Sequence, residues 1–167
     1  YTHNAVRSIE YMVLDILKEL DTNINFIDKT TDISKFHHLT DSILDLSYFF
    51  ENKEAIKIYE NIRQRKLYKF VMEINEDNFD VESFNENIKL LNLNDIVIVD
   101  NIKLNYSMDE KNPLNFVSLY ENLQIVDKDN ISFLYPQKFE EKVLKFYIKD
   151  KKYFNQIKNI IDIFVKK

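Results

Sequence analysis

The sequence of 167 residues contains no glycine, no cysteine and no tryptophan, and it has only two prolines and three histidines. The absence of cysteine excludes disulfides, thiolate metal sites and cysteine nucleophiles. The absence of glycine excludes the glycine-rich phosphate loops of P-loop and dinucleotide-binding proteins. Turns that require a positive φ must then be formed by asparagine or aspartate, which tolerate the left-handed region better than other residues.

Long apolar runs are also absent, and none approaches the ~20 residues that a membrane span requires. We therefore expect no membrane segment, and no secretory signal opens the chain. Together with the lack of cysteine, this indicates an intracellular protein, cytoplasmic or nuclear. The net charge of −5 argues against a protein that binds nucleic acid through bulk positive charge, so nucleic acid is an unlikely partner.

Helical patterns dominate the first part of the chain. An amphipathic helix is predicted from about Asn4 to Leu20, because apolar residues recur on one face. Thr40 or Asp41 begins a further helix, and Asn52 caps the next one. The first pattern is already running at residue 1 without a convincing Ser, Thr or Asp cap, so we expect the chain to be a segment of a longer protein.

Strands and helices alternate from about residue 67 onward. The patterns predict strands over 68–74 and 96–108, a helix over 81–91 and a final helix over 151–167. Pro136 is predicted to open a short helix that contains Phe139 and Val143, followed by a strand through Leu144, Phe146 and Ile148. This order predicts an α+β fold with a mostly antiparallel sheet of three or four strands. The predicted domains are 1–66 and 67–167.

A basic cluster stands out against the acidic background at the predicted helix-to-strand junction, formed by Arg63, Arg65, Lys66 and Lys69. Arginine offers a planar fork that suits a phosphate or a base edge, and lysine offers a point charge. Cations in a last helical turn also complement the helix dipole, which is the alternative explanation. The nearby Tyr68 and Phe70 leave single-stranded nucleic acid as a weaker third interpretation, which predicts a steep salt dependence.

The segment Tyr106–Tyr120 carries the most specific motif. Its local pattern predicts a hairpin, since alternating apolar residues lead into a turn that Pro113 cannot continue as a strand. Its sequence YSMDEKNPLNFVSLY resembles the C-terminal lobe of deoxynucleoside triphosphate triphosphohydrolases of the SAM-and-HD-domain type. Further resemblances follow the family's order over nearly the whole chain, at Tyr1–Asn4, Leu39–Asp41, Arg65–Val71 and Leu134–Phe139.

The resemblance implies roles for five residues. Arg65-Lys66-Leu67-Tyr68-Lys69-Phe70-Val71 is similar to the family's Arg-Asn-Leu-Phe-Lys-Tyr-Val, in which the Arg and the Lys contact a guanine nucleotide at an activating site. Arg65 and Lys69 would take these roles, with Leu67 against the base. Tyr1 would pack on the substrate sugar, and His3 would lie at a second activator site for a deoxynucleotide.

Two positions depart from the family pattern. Asn4 replaces a lysine that helps to hold the activator phosphates, and Glu121 and Asn122 occupy the neighbourhood of a second lysine. Each lost charge-assisted hydrogen bond is worth about 1.5–3 kcal/mol. We therefore expect weakened phosphate binding at the second activator site.

The resemblance also implies the reaction of the longer protein, in which a metal-activated water splits a deoxynucleoside triphosphate into deoxynucleoside and triphosphate. Such a site needs a His…His-Asp…Asp set, and no His-Asp dipeptide occurs here. His37 and His38 are adjacent to each other, so their side chains diverge on a helix, and a capping or surface role is favoured over metal binding.

We therefore predict no catalytic residue, metal ligand or cofactor in this chain, and no hydrolysis by it alone. The catalytic residues and their divalent metal are expected to lie before residue 1. The chain would be the regulatory and oligomerisation portion of a homo-oligomeric phosphohydrolase, with a guanine nucleotide or a deoxynucleoside triphosphate as activator. The alternative is a diverged, non-catalytic interaction or oligomerisation module without a nucleotide.

Overall fold

The computed structural model describes residues 2–25, 30–36, 40–105, 111, 117–118, 120–121, 124–125 and 139–165. The helices in these ranges are α1 (Asn4–Ile24), α2 (Ile33–Phe36), α3 (Leu46–Phe49), α4 (Lys53–Arg63), α5 (Val81–Leu90) and α6 (Phe154–Phe164). The strands are β1 (Lys69–Asn75), β2 (Val97–Asn105), β3 (Tyr120–Glu121), β4 (Gln124–Ile125) and β5 (Glu140–Ile148). Short 3-10 helices cover Asp41–Asp45, Glu76–Asn78 and Lys151–Tyr153.

Three of the strands form an antiparallel sheet in the order β1-β5-β2. The two short strands pair separately and antiparallel, with Tyr120 opposite Ile125 and Glu121 opposite Gln124. Helices precede the sheet in the chain and flank its strands in sequence. The predicted α+β class is therefore confirmed.

One predicted element is wrong. The short helix that Pro136 was expected to open would contain Phe139 and Val143, but Glu140–Ile148 form strand β5. All six residues from Val143 to Ile148 are buried. Burial on both sides is the environment of a central strand. Phe139 and Val143 are four residues apart, which places two residues on one face of a helix and equally on one side of a strand, so their spacing alone does not distinguish the two.

The chain divides into two compact units, and the first comprises Tyr1–Val71 with Tyr147–Asn155. Its aliphatic core joins α1 to α4, where Ile16, Leu20 and Ala55 are fully buried. Asn52 caps α4 as predicted, since its side-chain oxygen accepts a hydrogen bond from the Ala55 N–H at 3.1 Å. Its side-chain amide also donates to the carbonyl of Glu19, at the far end of α1, at 3.3 Å.

The second unit comprises Met72–Phe146 with Gln156–Lys167, and its core is aromatic. The rings of Phe79, Phe84 and Phe146 are buried and pack edge to face, with centroids 5.1–5.4 Å apart. Phe164 adds a fourth ring, 5.8 Å from that of Phe84. This geometry is favoured because the positive edge of one ring meets the negative face of the next.

Among the residues that the structure describes, four have a positive φ, in a chain that has no glycine for these positions. Two of them are Asn25 and Asn92, as the composition predicts. The other two are Glu51 and Arg65. The expectation that asparagine and aspartate would cover such turns is thus correct for two positions and incomplete for the others.

Three remaining expectations have different outcomes. The hairpin predicted over Tyr106–Tyr120 falls almost wholly outside the described residues. The predicted division into residues 1–66 and 67–167 stays a prediction. Across the described ranges, no helix combines the length and apolar character that crossing a membrane requires.

Candidate nucleotide-binding segment

The basic cluster lies where α4 ends and β1 begins. Arg63 is the last residue of α4 and Gln64 follows as the cap. The Arg65 N–H then donates to the Ile62 carbonyl at 3.0 Å, and the Lys66 N–H donates to the Asn61 carbonyl at 2.8 Å. These two bonds define a Schellman motif, which requires a left-handed residue at its turning point.

Arg65 occupies that left-handed position, with φ of 56°. Glycine is usual there, because a Cβ atom in this conformation approaches a carbonyl oxygen and costs roughly 1–2 kcal/mol. The side chains of Arg65 and Lys66 are exposed at this turn. We call Arg65–Lys69 the 65–69 segment.

The two other candidate residues of this segment differ in burial. Leu67 is half-buried, whereas Lys69, the first residue of β1, is exposed. The Lys69 ammonium lies 5.8 Å from the ring centroid of Phe154, which is within the range of a cation–π contact. Arg65, Leu67 and Lys69 therefore sit within five consecutive residues and present two exposed cations beside one partly buried apolar side chain.

Tyr68 ties the segment to helix α1 at two points. The hydroxyl of Ser8 donates to the Tyr68 backbone carbonyl at 2.9 Å, and the Tyr68 hydroxyl donates to Oδ2 of Asp15 at 2.8 Å. Ser8 and Asp15 are seven residues apart, which places them on one face of the helix two turns from each other.

Lys149 completes this network from the end of β5. Its Nζ lies 2.6 Å from Oδ2 of Asp15 and 5.8 Å from the ring centroid of Tyr68. Burial, followed by the hydrogen bond to Asp15, raises the pKa of the Tyr68 phenol well above its usual value. The phenol therefore remains a neutral donor to a carboxylate, and this is a charge-assisted bond of the stronger kind.

His3 has a local structural role. Its Nδ1 atom accepts a hydrogen bond from the Ala5 N–H at 3.2 Å and thereby caps α1, whose first residue is Asn4. The sequence pattern predicted no cap here, because histidine is not among the residues that usually cap helices. Its suggested place in a second activator site stays a prediction, and Tyr1 lies outside the described residues.

The described residues contain no group of three or more His, Cys, Asp or Glu side chains that could hold a metal ion. His37 and His38 are outside the described ranges, so their roles remain predictions. Ser8 and Asp15 were not predicted as functional residues from the sequence. Ser8 could have been noticed, because it continues the buried stripe of Met12, Ile16 and Leu20 at four-residue spacing.

No family model matches the chain, whereas curated proteins do. A deoxynucleoside triphosphate triphosphohydrolase SAMHD1 homolog from Dictyostelium discoideum is 33% identical over 172 residues, covering 94% of this chain. A putative HD domain-containing protein of Acanthamoeba polyphaga mimivirus is 29% identical and covers 82% of the chain. The human triphosphohydrolase SAMHD1 is 29% identical over 182 residues and covers 89%.

The chain is related to SAMHD1-type HD-domain triphosphohydrolases. The resemblance found in the sequence motifs is thereby confirmed. The chain spans only about a third of the length of these relatives, namely 34% of the Dictyostelium protein, 34% of the mimivirus protein and 29% of human SAMHD1.

The fold has a counterpart among solved structures. The crystal structure of a hypothetical protein from Aquifex aeolicus matches 96% of this chain and 40% of its own, with a TM-score of 0.57 and 21% identity. At this identity the likeness concerns the fold alone. The match shows that this fold also occurs as part of a longer protein, the Aquifex chain.

Proposed function

We propose that this chain is the C-terminal regulatory and oligomerisation portion of an HD-domain phosphohydrolase that resembles the deoxynucleoside triphosphate triphosphohydrolases. Relatives named for that activity match the chain over about a third of their length, and the chain contains no His-Asp dipeptide. The catalytic residues and their divalent metal would therefore lie outside it. A guanine nucleotide or a deoxynucleoside triphosphate would act as activator and promote a homo-oligomer.

The nucleotide would bind at the 65–69 segment, and the position of Arg65 is the observation that carries this proposal. An arginine holds a left-handed turn at a roughly 1–2 kcal/mol conformational cost that glycine would avoid. Its guanidinium is exposed and can form paired hydrogen bonds with a phosphate or a base edge. Lys69 adds a second charge, and Leu67 offers an apolar contact to the base.

The helix dipole explains this cluster less well. Dipole stabilisation falls off within the last helical turn, and Arg63 already places a cation there, paired with Glu60 at 3.5 Å. Arg65, Lys66 and Lys69 lie beyond the end of the helix. Their charges therefore favour an external anion over α4 as their electrostatic partner.

A second candidate belongs to another class, a diverged interaction or oligomerisation module that binds no nucleotide. It is favoured by Asn4 and by the pair Glu121-Asn122, which stand where the family motifs carry phosphate-binding lysines. The two candidates differ in one measurable property. Only the first predicts that a guanine nucleotide stabilises the folded protein.

Thermal unfolding with GTP or dGTP tests the choice, using the longer protein that contains this chain. A ligand at 100 times its Kd adds about 2.7 kcal/mol to the free energy of unfolding. We expect stabilisation of the wild type and its loss in Arg65→Asn/Lys69→Gln. Asparagine removes the guanidinium while still accepting the left-handed turn.

Arg63→Gln is the matched control, because it removes a cation of the same cluster from within the helix and should retain the shift. Equal stabilisation in the wild type and the double variant, or none in either, would favour the interaction module. Triphosphate release from dGTP by the 167-residue chain alone, with a divalent metal present, would contradict the placement of the catalytic residues outside it.

A further inference from the structure

Tyr68 lies inside the 65–69 segment, but the proposed function gives it no contact with the nucleotide. Its carbonyl oxygen accepts from Ser8 at 2.9 Å and its hydroxyl donates to Asp15 at 2.8 Å. Ser8 is 2% exposed and the Asp15 side chain is 15% exposed, so both anchors are well shielded from water. One residue of the segment is thus fixed to α1 through its main chain and its side chain together.

The carboxylate of Asp15 is itself held in place. Lys149 approaches its Oδ2 atom to 2.6 Å, and Lys18 lies 3.8 Å from its Oδ1 atom. The Lys149 side chain is 32% exposed and that of Lys18 is 76% exposed, so Lys149 is the better-shielded partner. Because shielded charges are screened less by salt, this pair holds the acceptor of the Tyr68 hydroxyl more firmly than a surface pair would.

The anchoring of Tyr68 has a direct effect on its neighbours. Tyr68 immediately precedes β1, whose exposed first residue is Lys69, and follows the half-buried Leu67. The two bonds that fix Tyr68 to α1 therefore also limit the motion of the residues on either side of it.

We propose that Ser8, Asp15 and Tyr68 are positioning residues that hold the 65–69 segment in the conformation that binds the nucleotide. The identity of the ligand rests on the proposed function. The anchoring of Tyr68 to Ser8 and Asp15, which we call the clamp, does not. A preorganised segment loses less conformational freedom on binding, which increases affinity without a new contact to the ligand.

The test compares Tyr68→Phe with Tyr59→Phe in the longer protein that contains this chain. Both changes remove one hydroxyl that donates to a carboxylate, because the Tyr59 hydroxyl donates to Asp45 at 3.0 Å. Only the first lies in the segment. Two quantities are measured, namely amide hydrogen exchange over residues 66–70 without ligand, and the Kd for GTP.

Tyr68→Phe is expected to speed exchange over residues 66–70 by roughly tenfold and to weaken GTP binding by roughly three- to tenfold. Tyr59→Phe should change neither quantity. Asp15→Ala should have an effect at least as large as Tyr68→Phe, because it also removes the ion pairs with Lys149 and Lys18. The double variant should be no worse for GTP than Asp15→Ala alone, since both changes break the same Tyr68–Asp15 bond.

Unchanged exchange over residues 66–70 in Tyr68→Phe would overturn the clamp, whatever the nucleotide result. Faster exchange with an unaltered Kd would overturn the positioning role. If the wild type binds no guanine nucleotide, the proposed function fails, and hydrogen exchange alone still decides whether Tyr68 fixes the segment.

Discussion

Two helix ends in this chain have the same backbone conformation and differ in their side chains. α4 turns at Arg65 and α5 turns at Asn92, with φ of 56° and 55°. The next residue in each turn donates its N–H to a carbonyl five positions back, at 2.8 Å for Lys66 and 3.0 Å for Leu93. The conformational demand is the same at both ends.

The end of α5 follows the preferences of the motif. Asparagine is the residue other than glycine that accepts the left-handed conformation best. Leu93, the residue after it, is 5% exposed, in keeping with the apolar residue that is common at this position of a Schellman motif. Folding alone explains both side chains.

The end of α4 departs from those preferences at both positions. Arg65 has no conformational advantage in the left-handed region, and Lys66 is exposed where an apolar contact is usual. A third end of this kind, at Glu51, shows that a chain without glycine can place a charged residue in such a turn. There, however, the following Asn52 has a folding role as the cap of α4. The folding preferences of this turn do not account for the exposed side chains of Arg65 and Lys66, and the proposed function assigns them to a bound nucleotide.

The largest expected effect is a loss of stability when the aromatic packing of α5 is removed. Phe84 is fully buried against three other aromatic rings, so Phe84→Ala should lower the free energy of unfolding by about 3–5 kcal/mol. Urea denaturation measures this loss. Phe84→Leu keeps more of the volume and should cost clearly less. A cost below about 1 kcal/mol for alanine would show that the aromatic core does not anchor α5.

A smaller effect distinguishes the two turns directly. Arg65→Gly should raise the free energy of unfolding by about 0.5–1 kcal/mol, because relief of the left-handed strain exceeds the added freedom of the unfolded chain. Asn92→Gly should change it by about 0.3 kcal/mol or less, since asparagine is already tolerated. Chemical denaturation of both variants provides the measurement. Equal gains would mean that arginine and asparagine fit this turn equally well.

The sequence predicted the fold class because apolar periodicity and capping residues agree along most of the chain. Asn52 illustrates this agreement, since its side chain caps the helix that the pattern predicted. The start of strand Glu140–Ile148 was mistaken for a helix, because Phe139 and Val143 are four residues apart and this spacing fits one face of a helix as well as one side of a strand. Burial of a central strand is decided by the neighbouring strands, which a local pattern does not contain.

The candidate segment was predictable as a group of cations, but its geometry was not. The spacing of Arg65, Lys66 and Lys69 is visible in the sequence, whereas the positive φ of Arg65 depends on how α4 ends. The hydrogen bond from Tyr68 to Asp15 joins residues 53 positions apart. Such a contact follows from packing of the whole unit, and no local sequence rule predicts it.

The central claim is that Arg65 occupies an unfavourable turn because its guanidinium binds a nucleotide. Isothermal titration of GTP into the wild type and Arg65→Asn, in the longer protein that contains this chain, tests this claim most directly. We predict that Arg65→Asn is at least as stable as the wild type and binds GTP at least tenfold more weakly, the loss of about one charge-assisted hydrogen bond. An unchanged Kd in a variant that folds equally well would contradict the account.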